Sequence, residues 1–402
     1  MSIAGNQQQT YLRLAAALRP HWRRDPAFAT RLQQLLARER AFGSRDRRLY
    51  RELLYTTVRF APWIEPLLSR DPARAAAVAA WLAAELPATR DYRQALAATL
   101  PPCPPGVAAK AAILEAPVEA LLPPWLAAEC PAAVAAPEID ALHRRAPLWL
   151  RLQADDAATV AADFAAHGWS ARPSALRPDA WEVRSDADVT RCDAYQRGLF
   201  EVQDLGSQLI LASAAIAPGG HWFDACAGAG GKTLQLARLL GPAGRVEAHD
   251  IRPAALDELA HRAQRAGLRG IVVRRSPPPA DARYDGVLVD APCSGSGTWR
   301  RAPHFKWITT PDHLARQAER QGALLAQAAT WVRPGGQLIY ATCSLARREN
   351  DAVVGAFLAA HPEFSVEPPA QAFGYAAAGP GLAILPARHD TDGFFVATLR
   401  RA

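Results

Sequence analysis

The spacing of apolar residues changes character twice along the chain. From about residue 8 to 140 it is helical: Leu12, Leu14 and Leu18 recur on one face, then Leu32, Leu35 and Leu36. In 45–55, Leu49, Tyr50, Leu53 and Leu54 share a face and arginines take the opposite one. The Pro-rich stretch 101–106 and the pair Pro123-Pro124 interrupt this region as loops. From about 141 to 205 the pattern predicts a small mixed unit, with strands at 148–153, 181–184 and 199–204 and an Ala-rich helix over 155–167 that Gly168 ends. A helix over 207–216 leads into the last region.

From about 206 to 402, short apolar runs alternate with helical stretches, the signature of a parallel sheet. Strands are predicted at 221–226, 245–250, 270–275, 284–291 and 336–342, with an edge strand at 393–399. The intervening helices are 232–240, stopped by Gly241, and 253–266, with Pro253 in its first turn and Gly267 past its end. A long helix runs over 310–332 with Thr310 as N-cap. The expected architecture is therefore a helical domain (1–140), a small α+β unit (141–205) and an α/β domain with a mostly parallel sheet (206–402).

Charge is unevenly spread. Residues 1–100 hold 16 arginines against eight acidic residues, whereas the rest of the chain holds 30 basic and 31 acidic residues. The whole positive excess lies in the helical region, an electrostatic footprint for a polyanion such as RNA. A solvated helical surface would give the same count. The six cysteines show no C-x-x-C spacing, so neither a zinc site nor a disulfide framework is expected. The first residues lack an apolar core behind a basic head, and no 18-residue apolar run occurs. These features point to a cytoplasmic monomer without metal or membrane association, its thiols reduced.

Only three lysines and two asparagines survive in this Ala-, Arg- and Pro-rich composition, and Lys232, Lys306 and Asn350 all adjoin candidate motifs. The first motif is the glycine loop 224–233, DACAGAGGKT. Counting back from Gly231 puts Cys226 where a Walker A loop needs glycine, and from Gly228 the dinucleotide fingerprint would end on Thr233, so both fail. Asp250 ends the next strand 22 residues after Gly228, where an acid can bind ribose hydroxyls. The pair fits an adenosine cofactor; a tight turn followed by a surface aspartate is the plainer reading.

Two further motifs, DAPCS (290–294) and ATCS (341–344), each follow an apolar strand and so place Cys293 and Cys343 at strand ends, where open α/β sheets bind ligands. A free thiol is only about 3% ionised at pH 7, so a nucleophile at either position needs local activation. Cys103, Cys130, Cys192 and Cys226 read as small buried hydrophobes.

DACAGAGGKT, DAPCSGSGTWRR followed by HFKW, YATCS followed by REN, DGFFVATL and the lead-in VQDLGSQ together resemble the RsmB/NOP family of RNA cytosine-5 methyltransferases. DRRLYRELLYTTVR at 46–59 resembles the NusB-like domain of the bacterial members that act on small-subunit ribosomal RNA. The resemblance implies a class I, Rossmann-like methyltransferase domain behind an all-α NusB-like domain and a small α+β unit. It implies S-adenosylmethionine held by Cys226, Ala227, Gly228, Ala229, Gly230, Gly231, Lys232, Asp250, Ser276 and Asp290. By the same resemblance Cys343 attacks carbon 6 of the pyrimidine, Cys293 enables release, and Asp290 stabilises the base's polar edge. Lys232 has two possible roles, supporting Asp290 or a thiolate, and starting a helix. The implied partner is 16S ribosomal RNA, met by Arg47, Arg48, Arg51, Arg151, Arg300, Arg301 and Lys306. The same reaction on transfer RNA, and a non-catalytic RNA-binding assembly factor, are the alternatives. The chain departs from the family at three places: Ala229 stands for proline, Ser276 for an adenine-contacting aspartate, and Gln153 for the asparagine of Arg-x-Asn.

Overall fold

A computed structural model describes residues 2–153 and 157–402. Two compact units emerge, one formed by residues up to Ala146 together with Thr298–Thr310, the other by Pro147–Gly297 and Pro311–Ala402. The division differs from the expected one in two respects. The small mixed region shares a unit with the large sheet, and a segment beginning five residues after Cys293 belongs with the helices.

The first unit is helical. Helix Ser44–Arg59 buries Leu49, Tyr50, Leu53 and Leu54, as its periodicity predicts, and leaves Arg51 exposed. These side chains join Tyr11, Leu14, Trp22, Phe28, Leu32 and Trp81 in one core. Inside it the Tyr11 hydroxyl meets Thr57 Oγ1 at 2.7 Å, pairing two polar groups that burial would otherwise penalise.

The carbonyls of a helix's last turn lack intrahelical donors. For Ser44–Arg59 the returning segment supplies them: Trp307 Nε1 donates to Val58 O at 2.7 Å and Lys306 Nζ to Arg59 O at 2.9 Å. Lys306 also meets His143 Nε2 at 2.9 Å, and Arg59 donates to Arg300 O at 3.0 Å. Arg300 and Lys306 are 2% and 3% exposed. Burial, with Arg59 nearby, pushes the Lys306 ammonium well below its usual range. The expectation that Arg300 and Lys306 present a basic cluster to phosphates is thus corrected: both are interior residues that fasten 298–310 to the helices. Arg301 alone of the three is exposed.

In the second unit, strands β1 (Leu148–Leu152), β2 (Ala171–Pro173), β3 (Ala180–Val183) and β4 (Phe200–Val202) form an antiparallel sheet of order β2-β3-β1-β4. Helix Ala157–Ala166 follows β1; the predicted start of this helix at Asp155 lies outside the described residues. Arg151, expected at RNA, is 1% exposed and points into a polar core, donating to Gln203 Oε1 at 2.6 Å and Gln153 Oε1 at 2.5 Å. A guanidinium so enclosed and engaged by two glutamines does not meet RNA, so that expectation is also corrected.

The larger sheet comprises β5 (His221–Asp224), β6 (Arg245–His249), β7 (Ile271–Arg274), β8 (Tyr284–Asp290), β9 (Val332–Thr342), β10 (Phe364–Glu367), β11 (Ala377–Ala378), β12 (Gly381–Ile384) and β13 (Phe394–Arg401). Its order is β11-β12-β13-β9-β8-β5-β6-β7, with β10 also on β13. β5 to β9 pair in parallel, as predicted. β13 is not the expected edge strand, because it pairs antiparallel with both β9 and β12. Residues 394–399 are buried without alternation, as a strand covered on both faces requires. The order ends instead at β11 and at β7, where Val272 is exposed.

Candidate active site

Parallel pairing brings the carboxyl ends of β5, β6, β8 and β9 to one side. The strand order reverses between β5 and β8, which opens a crevice there. Asp224, Asp250 and Asp290 end or follow three of these strands, and Cys343 follows the fourth.

The glycine turn joins β5 to helix Gly231–Leu240. Gly228 has φ +54° and Gly230 φ +88°, conformations that favour glycine. A Cβ on Gly230 would lie 2.8 Å from Leu234 Cδ1 and Leu259 Cγ, so this glycine permits helix packing and does not line the cavity. Asp250 Oδ2 accepts from Gly228 N at 2.9 Å, and Arg252 pairs with the same carboxyl at 2.9 Å. Burial works against ionisation of Asp250, but the Arg252 and Gly228 hydrogen bonds outweigh it and hold the carboxyl below its usual range.

A cavity of about 570 Å³ lies against this turn, within the range of small-molecule sites. Cys226, Ala227, Gly228, Ala229, Gly231, Lys232, Asp250 and Asp290 line it, as expected. Ser276 does not; it is exposed, and the next residue, Pro277, is the one that lines the cavity. Ile251, 73% exposed, offers an uncovered apolar face beside Asp250. Sequence reasoning missed Ile251, Pro277, Arg320 and Trp331 as wall residues, since nothing local marks a residue that meets the cavity only after folding. Burial pushes Cys226 up to about 12, so this thiol is an inert part of the turn.

The two motif cysteines come together. Their Sγ atoms are 3.3 Å apart, and both residues are partly exposed and unbridged. The hydrogen bond to Cys343 and burial hold the Cys293 thiol well above its ordinary range. Lys232, in the first turn of helix Gly231–Leu240, places Nζ 2.7 Å from Asp290 Oδ2 with its side chain 9% exposed. The cysteine loops are laid on one another by backbone contacts: Gly297 N donates to Cys343 O at 2.9 Å, and Gly393 N to Gly297 O at 2.8 Å. A Cβ on Gly297 would stand 2.0 Å from Gly393 O, so only glycine allows this approach.

Behind them lies Glu349, fully buried and absent from the sequence-based site. The signals pointing there were the REN triplet (348–350) after YATCS, which contains it, and the rare asparagine Asn350. Among the described residues no group of three or more His, Cys, Asp or Glu could hold a metal ion, and no helix is long and apolar enough to cross a membrane.

If Asp250 holds the ligand of this cavity, Asp250→Ala should weaken S-adenosylmethionine binding by about 1–3 kcal/mol, roughly 5- to 150-fold in Kd, through lost charge-assisted hydrogen bonds. Calorimetry giving an unchanged Kd would remove Asp250 from the site.

The ribosomal RNA small subunit methyltransferase B of Sodalis glossinidius is 34% identical over 273 residues, covering 65% of this chain and 60% of that protein. The chain thus spans about 60% of the length of the curated relatives it matches. The crystal structure of PH0851 overlies 100% of both chains with a TM-score of 0.75 at 22% identity. That of a methyltransferase homolog protein from Pyrococcus horikoshii covers 69% of this chain and 93% of its own, with TM-score 0.60 at 23% identity. Both show the same Rossmann-like fold. Residues 212–400 of this chain match the family model described as 16S rRNA methyltransferase RsmB/F.

Proposed function

We propose that this chain methylates carbon 5 of a cytosine in small-subunit ribosomal RNA, using S-adenosylmethionine and a covalent adduct through Cys343. The observation that carries the reading is the 3.3 Å separation of two free thiols at the end of a crevice whose neighbouring cavity is lined by the glycine turn.

The cavity's residues suit the donor. The buried Asp250 carboxylate, already accepting from the glycine turn, matches ribose hydroxyls, and Ile251 with Pro277 offers apolar walls for adenine. When bound, S-adenosylmethionine supplies an electrophilic methyl group. The chain's own task is to make a poor nucleophile, carbon 5, reactive. A thiolate added at carbon 6 turns the ring into an enamine. The attack is assigned to Cys343 by the resemblance of its ATCS motif to the family's; burial and the Cys343 contact hold the neighbouring Cys293 thiol above its ordinary range, which suits a group that keeps its proton. Asp290, at the same strand end and paired with Lys232, takes the pyrimidine's polar edge. Release requires loss of the carbon-5 proton and expulsion of the Cys343 sulfur, and Cys293 stands at that sulfur. The exposed Arg51, with Arg47 and Arg48 on the same helix, is the surface we assign to RNA; Arg47 also donates to Leu36 O at 3.4 Å.

Incubation with methyl-labelled donor should place 5-methylcytosine in small-subunit ribosomal RNA. Label appearing only in transfer RNA would move the substrate. Label in neither, with donor binding intact, would favour a non-catalytic RNA-binding role.

A further inference from the structure

We infer that Glu349 is a positioning residue that sets the two thiols against each other, and this rests on the proposed two-cysteine reaction. Ser294 and Ser344 are the residues immediately after Cys293 and Cys343. Both are tied to one carboxylate: Glu349 accepts from Ser294 N at 2.8 Å, Ser294 Oγ at 2.5 Å and Ser344 Oγ at 2.5 Å. A fourth donor, Gln321 Nε2, reaches it at 3.1 Å and also holds Pro292 O at 2.9 Å, just before Cys293. Glu349 is itself anchored, because the Tyr340 hydroxyl donates to its carbonyl at 2.7 Å. Asn350 extends the frame, donating to Ser344 O at 2.9 Å and accepting from Thr342 Oγ1 at 2.6 Å.

The chemistry of this arrangement is specific. Four donors on two oxygens require a group that only accepts, which an ionised carboxylate is and an amide is not. Buried hydrogen bonds to a charged acceptor are short and strong, so the loops on two different strands are held in one geometry. The four donors are neutral, and the carboxylate's negative charge favours the protonated form of Cys293. Glu349 touches neither thiol and acts through the serines. Its contribution is geometric and electrostatic, worth about 10²-fold when reacting groups shift by an ångström.

The test is Glu349→Gln, which keeps the shape but turns one acceptor into a donor facing other donors. Two readouts are taken. In donor-free, RNA-free protein, diamide takes two protons and two electrons from a pair of adjacent thiols, leaving a disulfide and the reagent reduced to its hydrazine; the Cys293–Cys343 peptide pair is then quantified by mass spectrometry. The variant should form this disulfide at least tenfold more slowly than the parent chain. Methyl transfer should fall about 10²-fold in kcat with RNA KM and donor Kd nearly unchanged. Disulfide formation and kcat both at parental levels would overturn the inference, as would an equal loss in donor binding, which marks general damage. If Glu349→Gln does not fold, Ser294→Ala/Ser344→Ala removes the two hydroxyl donors instead. It should show the same slowed disulfide formation, and a parental rate would overturn the inference. Should the parent chain methylate no RNA, the function proposal fails, while the disulfide rate still decides the role of Glu349.

Discussion

Cys343→Ala should abolish methyl transfer, by at least about 10⁴-fold, the upper end of what a positioned acid or base supplies. No covalent RNA adduct should form either, because attack on carbon 6 requires that sulfur. Cys293→Ala should behave in the opposite way. Attack and methylation proceed, release stalls, and a protein–RNA complex that survives denaturing electrophoresis accumulates. The double variant should clear it. The two sulfurs lie 3.3 Å apart, close enough that either could reach the same base, so the gel decides the assignment. Adducts from Cys343→Ala and none from Cys293→Ala would exchange the roles, and turnover in both variants would eliminate the covalent route.

The second large effect concerns the Lys232–Asp290 pair. Lys232→Met and Asp290→Asn should each slow methylation by about 10²–10⁴-fold, because the pair presents one oriented carboxylate to the pyrimidine. The double variant should be little slower than either single one, as residues acting as a unit are not additive. Stability should change far less. Asp290 remains 32% exposed, so water compensates part of the lost ion pair and the cost is on the order of 1 kcal/mol. A thermal melt near that of the parent alongside a large fall in kcat separates the two contributions. Multiplicative losses in the double variant would mean that the two residues serve separate steps.

Much of the site was legible in the order of residues. Glycines with positive φ, an acid 22 positions on, and cysteines at the ends of apolar runs are local signals, and local signals follow from backbone sterics and from periods of two and 3.6 residues. They located the parallel strands β5 to β9, the turn that lines the cavity, Asp250, Asp290 and both thiols. The burial of Leu49, Leu53 and Leu54 on helix Ser44–Arg59 was equally visible.

Where a charged side chain ends up is not a local property. Arg51, Arg151, Arg300 and Lys306 are all basic residues, yet of the four only Arg51 reaches solvent. The other three are enclosed because elements distant in the chain pack over them and supply the acceptors they need: Gln203 for Arg151, Arg59 O for Lys306. The same holds for β13, whose sequence reads as an edge until β12 and β9 cover it, and for Glu349, an ordinary acid until folding brings four donors onto it. Sequence alone determined which backbone elements form and which residues stand at their ends. The tertiary structure decided which polar groups leave water, since burial and its compensating hydrogen bonds come from partners tens to hundreds of residues away.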